Sequence, residues 1–440
     1  MTKKTHNHKL KKDLGLFQLT LYGVGIILGA GIYALIGPAA GIAGDAVWMS
    51  FVLGALLAFF TGMSYAEMSS MFPKSAAEYV YMKHAFREKY LAFIVQWIML
   101  ITVMLSAATV ALGFAGYFSD AFGGPVILAA AGLVIVVSLI NYIGMKESST
   151  FNIISTIIEA AGLFIIIIIG LFFVNHNGID YFKMPSAGML GIVSGTALIF
   201  FAYLGFEDLV NVSEETKKAK KVVPKALVLA LLISTVIYIL VAISAVSAVG
   251  SERLASSNAP LKEVVNSTIP DASFAFSIIA LFATANTVLV MIIVASRILY
   301  GLSRNRLMPG SFSFVGKRGT PYASIIAVML LCIVMLFLGG IKTVALLTDV
   351  GIFIVYIFIN SAVIALRYRQ PKLKREFKSP FSLGKMPVLP VLGILTSLMI
   401  LIFIEREIVL YEVSIIFIGI LVYMAVRQKR RAKKKPRSRG

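Results

Sequence analysis

Long apolar runs alternate along the chain with short polar interruptions, most of them basic. A bilayer core takes about 20 apolar residues at about 1.5 Å rise each. On that measure the pattern predicts spans near 16–43, 46–70, 91–118, 125–144, 150–174, 187–211, 226–249, 274–303, 322–340, 342–367, 387–404 and 408–426. Twelve spans bring both termini to one side. The first run carries four glycines at its centre, in GVGIILGAGI from Gly23 to Ile32. Each glycine costs roughly 1 kcal/mol in a helix interior relative to alanine, so the middle of this span is easily unwound. Gly25 and Gly29 also fit the competing reading, small residues that let helices approach closely.

An unwound stretch exposes main-chain N–H and C=O groups that hydrocarbon cannot satisfy. A break near Gly29 therefore predicts a site: the half-helix starting near Gly31 aims its positive end at a carboxylate, and carbonyls closing the first half suit an ammonium. The sixth run, AGMLGIVSGTALIFFAYLGFEDLV, is interrupted too, by Gly205 with Glu207 and Asp208 following. Two weak spans five apart, running in opposite directions, are the pattern of an inverted repeat of five helices with its substrate site at mid-membrane. The expected organisation is an all-α polytopic membrane protein: a basic tail at 1–14, repeats at 15–174 and 187–367, two additional helices in 387–426, and a second basic tail at 427–440. Simple kinking of the two spans is the alternative.

Composition agrees with the pattern. Apolar residues make up 59 % and charged residues 14 %, with a mean hydropathy of +0.89, against about 45–50 % and about 25 % in soluble domains. The net charge of +20 acquires its meaning from position. Of 41 Lys and Arg, 35 fall on the side shared by the termini and five on the other, with Arg297 inside a span. By the positive-inside rule both termini are cytoplasmic, and the RQKRRAKKKPRSRG tail reads as a topology anchor attracted to anionic lipid, not as a nucleic-acid arm. Residues 1–14 resemble a signal-peptide n-region, but the following apolar run is too long and lacks a cleavage site. Cys332 is alone, so no disulfide framework is expected. The four histidines, His6, His8, His84 and His176, lie in tails or loops without metal-ligand spacing, and no metal or cofactor is expected. Neither a GxxxxGK[ST] loop nor a TVGYG-like filter occurs.

Five stretches in order and spacing carry a family resemblance: GVGIILGAGIYALIG at 23–37, SYAEMSSMFPKSAAEYVYMKHAF at 64–86, GMKESSTFNIISTIIE at 144–159, FFAYLGFEDLVNVSEETKKAKKVVPKAL at 200–227 and ANTVLVMIIVASRILYGLSRNRLMP at 285–309. Over spans 1 to 10 the sequence resembles the amino acid–polyamine–organocation transporters, amino acid permeases with the leucine-transporter fold. The resemblance implies that the substrate α-carboxylate meets N–H groups of Gly29, Ala30 and Gly31. Its α-ammonium would meet carbonyls near Ile26, Ile27, Phe201, Ala202 and Leu204, beside Gly205. Phe201 corresponds to an aromatic lid, with packing against lipid or protein as its competing reading; Tyr203 and Asn286 are candidate side-chain contacts. Departures from the family pattern are Ala76-Ala77 for a Gly-Gly pair, Asn305 for an aspartate, Ala219-Lys220-Lys221 for an Asn-Pro step, and Glu159 where many relatives carry lysine.

Four acids stand out in or beside the spans: Glu159, Glu207, Asp208 and Asp349. An ionised acid at the bilayer centre costs about 2.5–3.5 kcal/mol on insertion scales, so each should face a partner, a cavity or water. Glu159, seven residues after Asn152 and three after Thr156, is a candidate proton carrier; an ionised Glu159 holding sodium and a plain structural hydrogen bond are the alternatives. For Glu207 at the sixth break, helix capping and gating compete. Arg297 is close enough to the basic end of its span to snorkel, and residues 71–90 read as an amphipathic cytoplasmic helix over the inner gate. The expectation is a secondary transporter in the cell membrane, working by alternating access on amino acids or related amines, proton-coupled or an exchanger, as monomer or homodimer. A sodium-coupled symporter, a passive channel and a membrane enzyme or assembly subunit are the other classes, and the last lacks a catalytic cluster.

Overall fold

The computed structural model describes residues 14–74, 77–143, 145–174, 178–316 and 318–434, without the side chains of 145–153, 212, 214–215 and 429–434. Most of the basic N-terminal tail, the last six residues, Ala76 and the Asn152 side chain lie outside this set. The described chain is helical almost throughout, with one two-stranded ribbon, Ser382–Leu383 against Met386–Pro387.

The first apolar run forms two helices, α1 (Leu16–Ile27) and α2 (Gly31–Ala43), before Gly44 turns the chain at φ +64° into α3 (Val47–Met71). A short helix α4 (Ala77–Phe86) leads into α5 (Lys89–Phe122), then α6 (Val126–Ile143) and α7 (Met145–Phe173). The sixth run is α8 (Met189–Ile199) continued by two 3-10 segments, Phe200–Tyr203 and Phe206–Glu215. Then follow α9 (Ala219–Val249), the short α10 (Ser251–Ser256) and α11 (Pro260–Asn266), α12 (Ser273–Arg304), α13 (Tyr322–Met335), α14 (Ile341–Arg369), α15 (Val388–Ile402) and α16 (Arg406–Lys434).

Among the described residues, nine runs have the length and composition to cross a membrane, and three apolar helices are shorter: α1, α13 and α15. The chain is thus a multi-pass membrane protein. α13 stops at Met335, short of the expected 340, because turns follow and Gly339 adopts φ +153°. α9 instead starts seven residues before its expected apolar run: hydropathy measures the bilayer, whereas lysines can extend a helix beyond it. An all-apolar helix is either core or lipid-facing, and burial separates the two. In α5, 94 % of the apolar window is buried, against 17 % in α16; α5 is the central post, and α16 lies at the periphery.

The basic segments gather at one end of the bundle. Lys217 N–H donates to the Leu14 carbonyl at 2.9 Å, Glu67 on α3 pairs with Arg367 on α14, and Arg87, Arg306 and Arg427 surround one cavity. At the opposite end α10 and α11, which the hydropathy pattern leaves as loop, pack their buried Leu254, Leu261 and Val264 near α2 and α5. Tyr117 ties them together there, donating to the Tyr33 carbonyl at 3.0 Å and accepting from Leu261 N–H at 3.3 Å.

Candidate substrate site

α1 ends at Ile27 and α2 begins at Gly31, so the interruption comprises Leu28, Gly29 and Ala30. In the sixth run the α-helix ends at Ile199, and Gly205 takes φ +111°, open to glycine but strained for other residues. The two interruptions touch. A β-carbon at Gly31 would lie 2.7 Å from the Ala202 Cα, and one at Gly205 would strike the side chain of Ile26. The absent β-carbons let the two unwound backbones approach at the depth where both helices stop.

Two hydroxyls that the sequence reading leaves out serve the exposed main chain. Ala30 N–H donates to Thr287 Oγ1 at 3.1 Å, and the Thr287 hydroxyl in turn donates to the Ala283 carbonyl at 3.3 Å. On the other side, the Tyr238 hydroxyl of α9 lies against the Ile27 carbonyl and 2.7 Å from the Ala202 carbonyl. One phenolic proton cannot fully satisfy two carbonyls with two lone pairs each, so acceptor capacity remains for a cation. Thr287 immediately follows Asn286, and its nearness to Ala30 is a tertiary fact without a local signal.

The other candidate residues divide by where their polar atoms point. Tyr203 donates its hydroxyl to the Phe51 carbonyl at 2.9 Å, towards α3, and is fully buried. Asn286 lies 3.5 Å from the Thr156 hydroxyl of α7. Phe201 is buried in the unwound stretch, while its neighbour Phe200 packs against Phe353 at a tilt, with ring centroids 4.6 Å apart. Glu207 accepts from Gly205 N–H and from the Tyr356 hydroxyl, both at 3.1 Å, and so caps the break and ties it to α14. Glu159 is buried on α7; its carbonyl accepts from Tyr33 at 2.7 Å, and its Oε1 has no hydrogen-bond partner among the described residues. Asp349 on α14 is fully buried, and neither carboxylate oxygen has a hydrogen-bond partner among the described residues. Two further acids within spans escape the sequence reading: Glu67, held by arginines, and Glu412, buried between α16 and its neighbours.

The sequence profile of the amino acid permease family matches residues 14–426. The chain belongs to this family. The permease is 31 % identical over 444 residues to the branched-chain amino acid permease BcaP of Bacillus subtilis (strain 168), covering 96 % of this chain and 94 % of the relative. It is 29 % identical to the methylthioribose transporter of the same organism, over 98 % of this chain and 96 % of that one. It is also 28 % identical to the vacuolar cationic amino acid transporter 4 of Arabidopsis thaliana, over 83 % of this chain but 64 % of the relative. Family and relatives are carriers, not enzymes.

Towards its basic end the permease encloses a cavity of about 390 Å³ between α1, α4, α5, the 3-10 segment after Gly205, and α12, with Glu78, Gln96, Asp208, Asn211 and Arg297 among its walls. α4 is amphipathic: Glu78, Tyr81 and Met82 are buried, and Lys83 and His84 are exposed. Burial pushes the Glu78 carboxyl up to about 7, nearby Asp208 adds to the rise, and the Tyr65 hydroxyl, 3.4 Å away, opposes it. A carboxyl that holds its proton more tightly when folded stabilises most below its unfolded pKa of about 4.5, and that stability is lost as pH climbs through 7. Wild-type permease should therefore lose thermal stability between about pH 5 and pH 8, by up to about 3 kcal/mol from this group. Glu78→Gln should flatten the profile; thermal unfolding of both proteins over that range checks it, and parallel profiles would refute the assignment.

Proposed function

We propose that the protein is a secondary transporter that moves amino acids across the cell membrane by alternating access, with both termini cytoplasmic. The observation that carries this reading is the meeting of two unwound segments, Leu28–Ala30 and Phe200–Gly205, where the Ala30 N–H and the Ile27 and Ala202 carbonyls are served by the exchangeable hydroxyls of Thr287 and Tyr238. A zwitterion replaces those hydroxyls with complementary charge: its carboxylate takes the Ala30 N–H from Thr287 and adds the N–H groups of Gly29 and Gly31, and its ammonium takes the Ile27 and Ala202 carbonyls from Tyr238. No permanent charge is then needed at mid-membrane. Phe201 acts as the lid, and Asn286 and Leu204 border the substrate. Repeats 15–174 and 187–367, related by inversion, supply the two broken spans, and the 35-to-5 distribution of basic residues supports the orientation. Packing of α10 and α11 over α2, together with the cavity at the basic end, fits an inward-facing state.

Glu159 is the coupling residue of this reading. On α7, which packs against α9, it carries a proton whose release follows the substrate's hold on Tyr238 of α9. The substrate class is tested by thermal shift of the purified protein with the twenty amino acids and methylthioribose: stabilisation by an amino acid is expected, and stabilisation by methylthioribose alone would reject it. Coupling is tested in proteoliposomes with an imposed pH gradient. Wild type should be stimulated by inward-directed protons, whereas Glu159→Gln should lose the stimulation yet keep exchanging labelled for unlabelled substrate. Unchanged stimulation in the variant, or stimulation by a sodium gradient instead, removes the proton role from Glu159.

A further inference from the structure

A second cavity at the basic end, of about 500 Å³, lies apart from the meeting of the two broken spans. It sits where α4 turns into α5, where α12 ends and where α16 leaves the apolar region. Four cations border it, Arg87, Lys89, Arg306 and Arg427, against a single acid, Glu88. None of the four cations forms an ion pair with a described residue. Four exposed cations that share one concavity with a single acid repel each other, and an entering anion relieves that repulsion.

Two independent features sharpen this. Only four described non-glycine residues have a positive φ, and two of them, Arg87 and Arg306, both at 60°, are in this cavity. Both are left-handed residues that close helices, Arg87 after α4 and Arg306 after α12, where Leu307 N–H donates to the Leu302 carbonyl at 2.8 Å, so two helix ends turn their arginines to one concavity. In addition, the 34-residue α5 starts here at Lys89, and its N-cap Glu88 makes no side-chain cap hydrogen bond; the helix therefore adds its positive end to the same concavity.

The surroundings identify the anion's carrier. Tyr90 and Tyr423 flank the cavity in edge contact, with centroids 5.2 Å apart, and Phe93 lies 5.2 Å from Tyr423. Aromatic rings of this kind mark the headgroup level of a membrane. Beyond them α16 exposes Leu421, Met424 and Phe417, a surface for acyl chains. We propose that this cavity binds the phosphate of an anionic phospholipid from the leaflet at the basic end, with the acyl chains lying along α16. Because Leu307 lines both this cavity and the 390 Å³ cavity beside α4, a bound lipid would brace the corner between them.

The test uses full-length protein in neutral detergent and measures binding of phosphatidylglycerol, phosphatidylcholine and inorganic phosphate. The test variant is Arg87→Asn with Arg306→Asn, because asparagine tolerates the left-handed backbone. Its control is Lys217→Asn with Lys218→Asn, an equal charge change elsewhere that includes another left-handed residue, Lys218 at φ 48°. Phosphatidylglycerol should bind wild type and the control alike and bind the arginine variant about 30-fold more weakly. Equal binding to the arginine variant, or equal binding of phosphatidylcholine to wild type, would overturn the proposal. Displacement of phosphatidylglycerol by inorganic phosphate alone would assign the cavity to a free anion and overturn the lipid. Should the arginine variant fail to fold, the salt dependence of wild type decides: lipid binding that does not weaken with salt overturns the proposal.

Discussion

Gly205→Ala should abolish uptake in proteoliposomes while the protein still folds and inserts. The added β-carbon has nowhere to go, because Gly205 adopts φ +111° and the space beside it is filled by Ile26 of the first break. A left-handed alanine costs roughly 1–3 kcal/mol, and relieving the clash would push the two unwound segments apart. Both costs fall on the geometry that presents the Ile27 and Ala202 carbonyls. A few kcal/mol on a step used in every cycle lowers the rate about 100-fold or more. Gly31→Val should do the same from the other side, since its β-carbon would start 2.7 Å from the Ala202 Cα. Gly132→Ala is the matched control: on α6, no atom beyond its own helix backbone approaches within 4 Å of the new methyl, so uptake should persist. Wild-type uptake by the Gly205 and Gly31 variants would mean that the meeting of the breaks is not the transport site.

Those glycines also explain why part of the site was legible from sequence and part was not. The cost of glycine in a helix is local, so the interruptions at 28–30 and around Gly205 show in the residue order. At the two glycines of the close-packing alternative, β-carbons would come within 3.0 Å of Thr156 at Gly25 and 3.2 Å of Thr287 at Gly29. What completes the site is not local. Tyr238 and Thr287 are ordinary residues of apolar helices until folding brings their hydroxyls to the Ala202 carbonyl and the Ala30 amide. Tyr203 carries the reverse lesson, since it sits in the unwound stretch yet points its hydroxyl at Phe51. Hydropathy likewise missed α10 and α11, because short helices held by Leu254 and Leu261 against their neighbours leave no membrane-length run. Among the acids, depth in a span distinguished Glu159 from Glu207 but gave no sign that Glu67 was the one held by cations.

Glu67→Ala should cost the protein more stability than any substitution at the substrate site. Glu67 is fully buried near the basic end of α3 and is the only carboxylate that its two described guanidinium partners share. Arg367 grips it in a fork, Nε to Oε1 at 3.0 Å and a terminal nitrogen to Oε2 at 2.5 Å, while Arg375 Nε adds a bond at 3.1 Å and Ser379 N–H one at 2.9 Å. Such a pair gives little net stability relative to an apolar isostere, but removing one member strands a buried charge at about 3–5 kcal/mol. Here the loss strands two, and the same atoms pin the segment after α14 to α3, so the fold loses a tie as well as a counter-ion. Against a typical total of about 5–15 kcal/mol, the variant should accumulate poorly and unfold at much lower temperature. Glu67→Gln, which keeps the shape and acceptor oxygen without the charge, should fall between the two. Replacing Glu67 and Arg367 together should recover part of the loss, because the second substitution removes a charge that the first leaves unpaired. An unfolding temperature for Glu67→Ala equal to wild type, measured in the same detergent, would show that water already solvates these guanidiniums and that α3 is held to α14 by apolar packing alone.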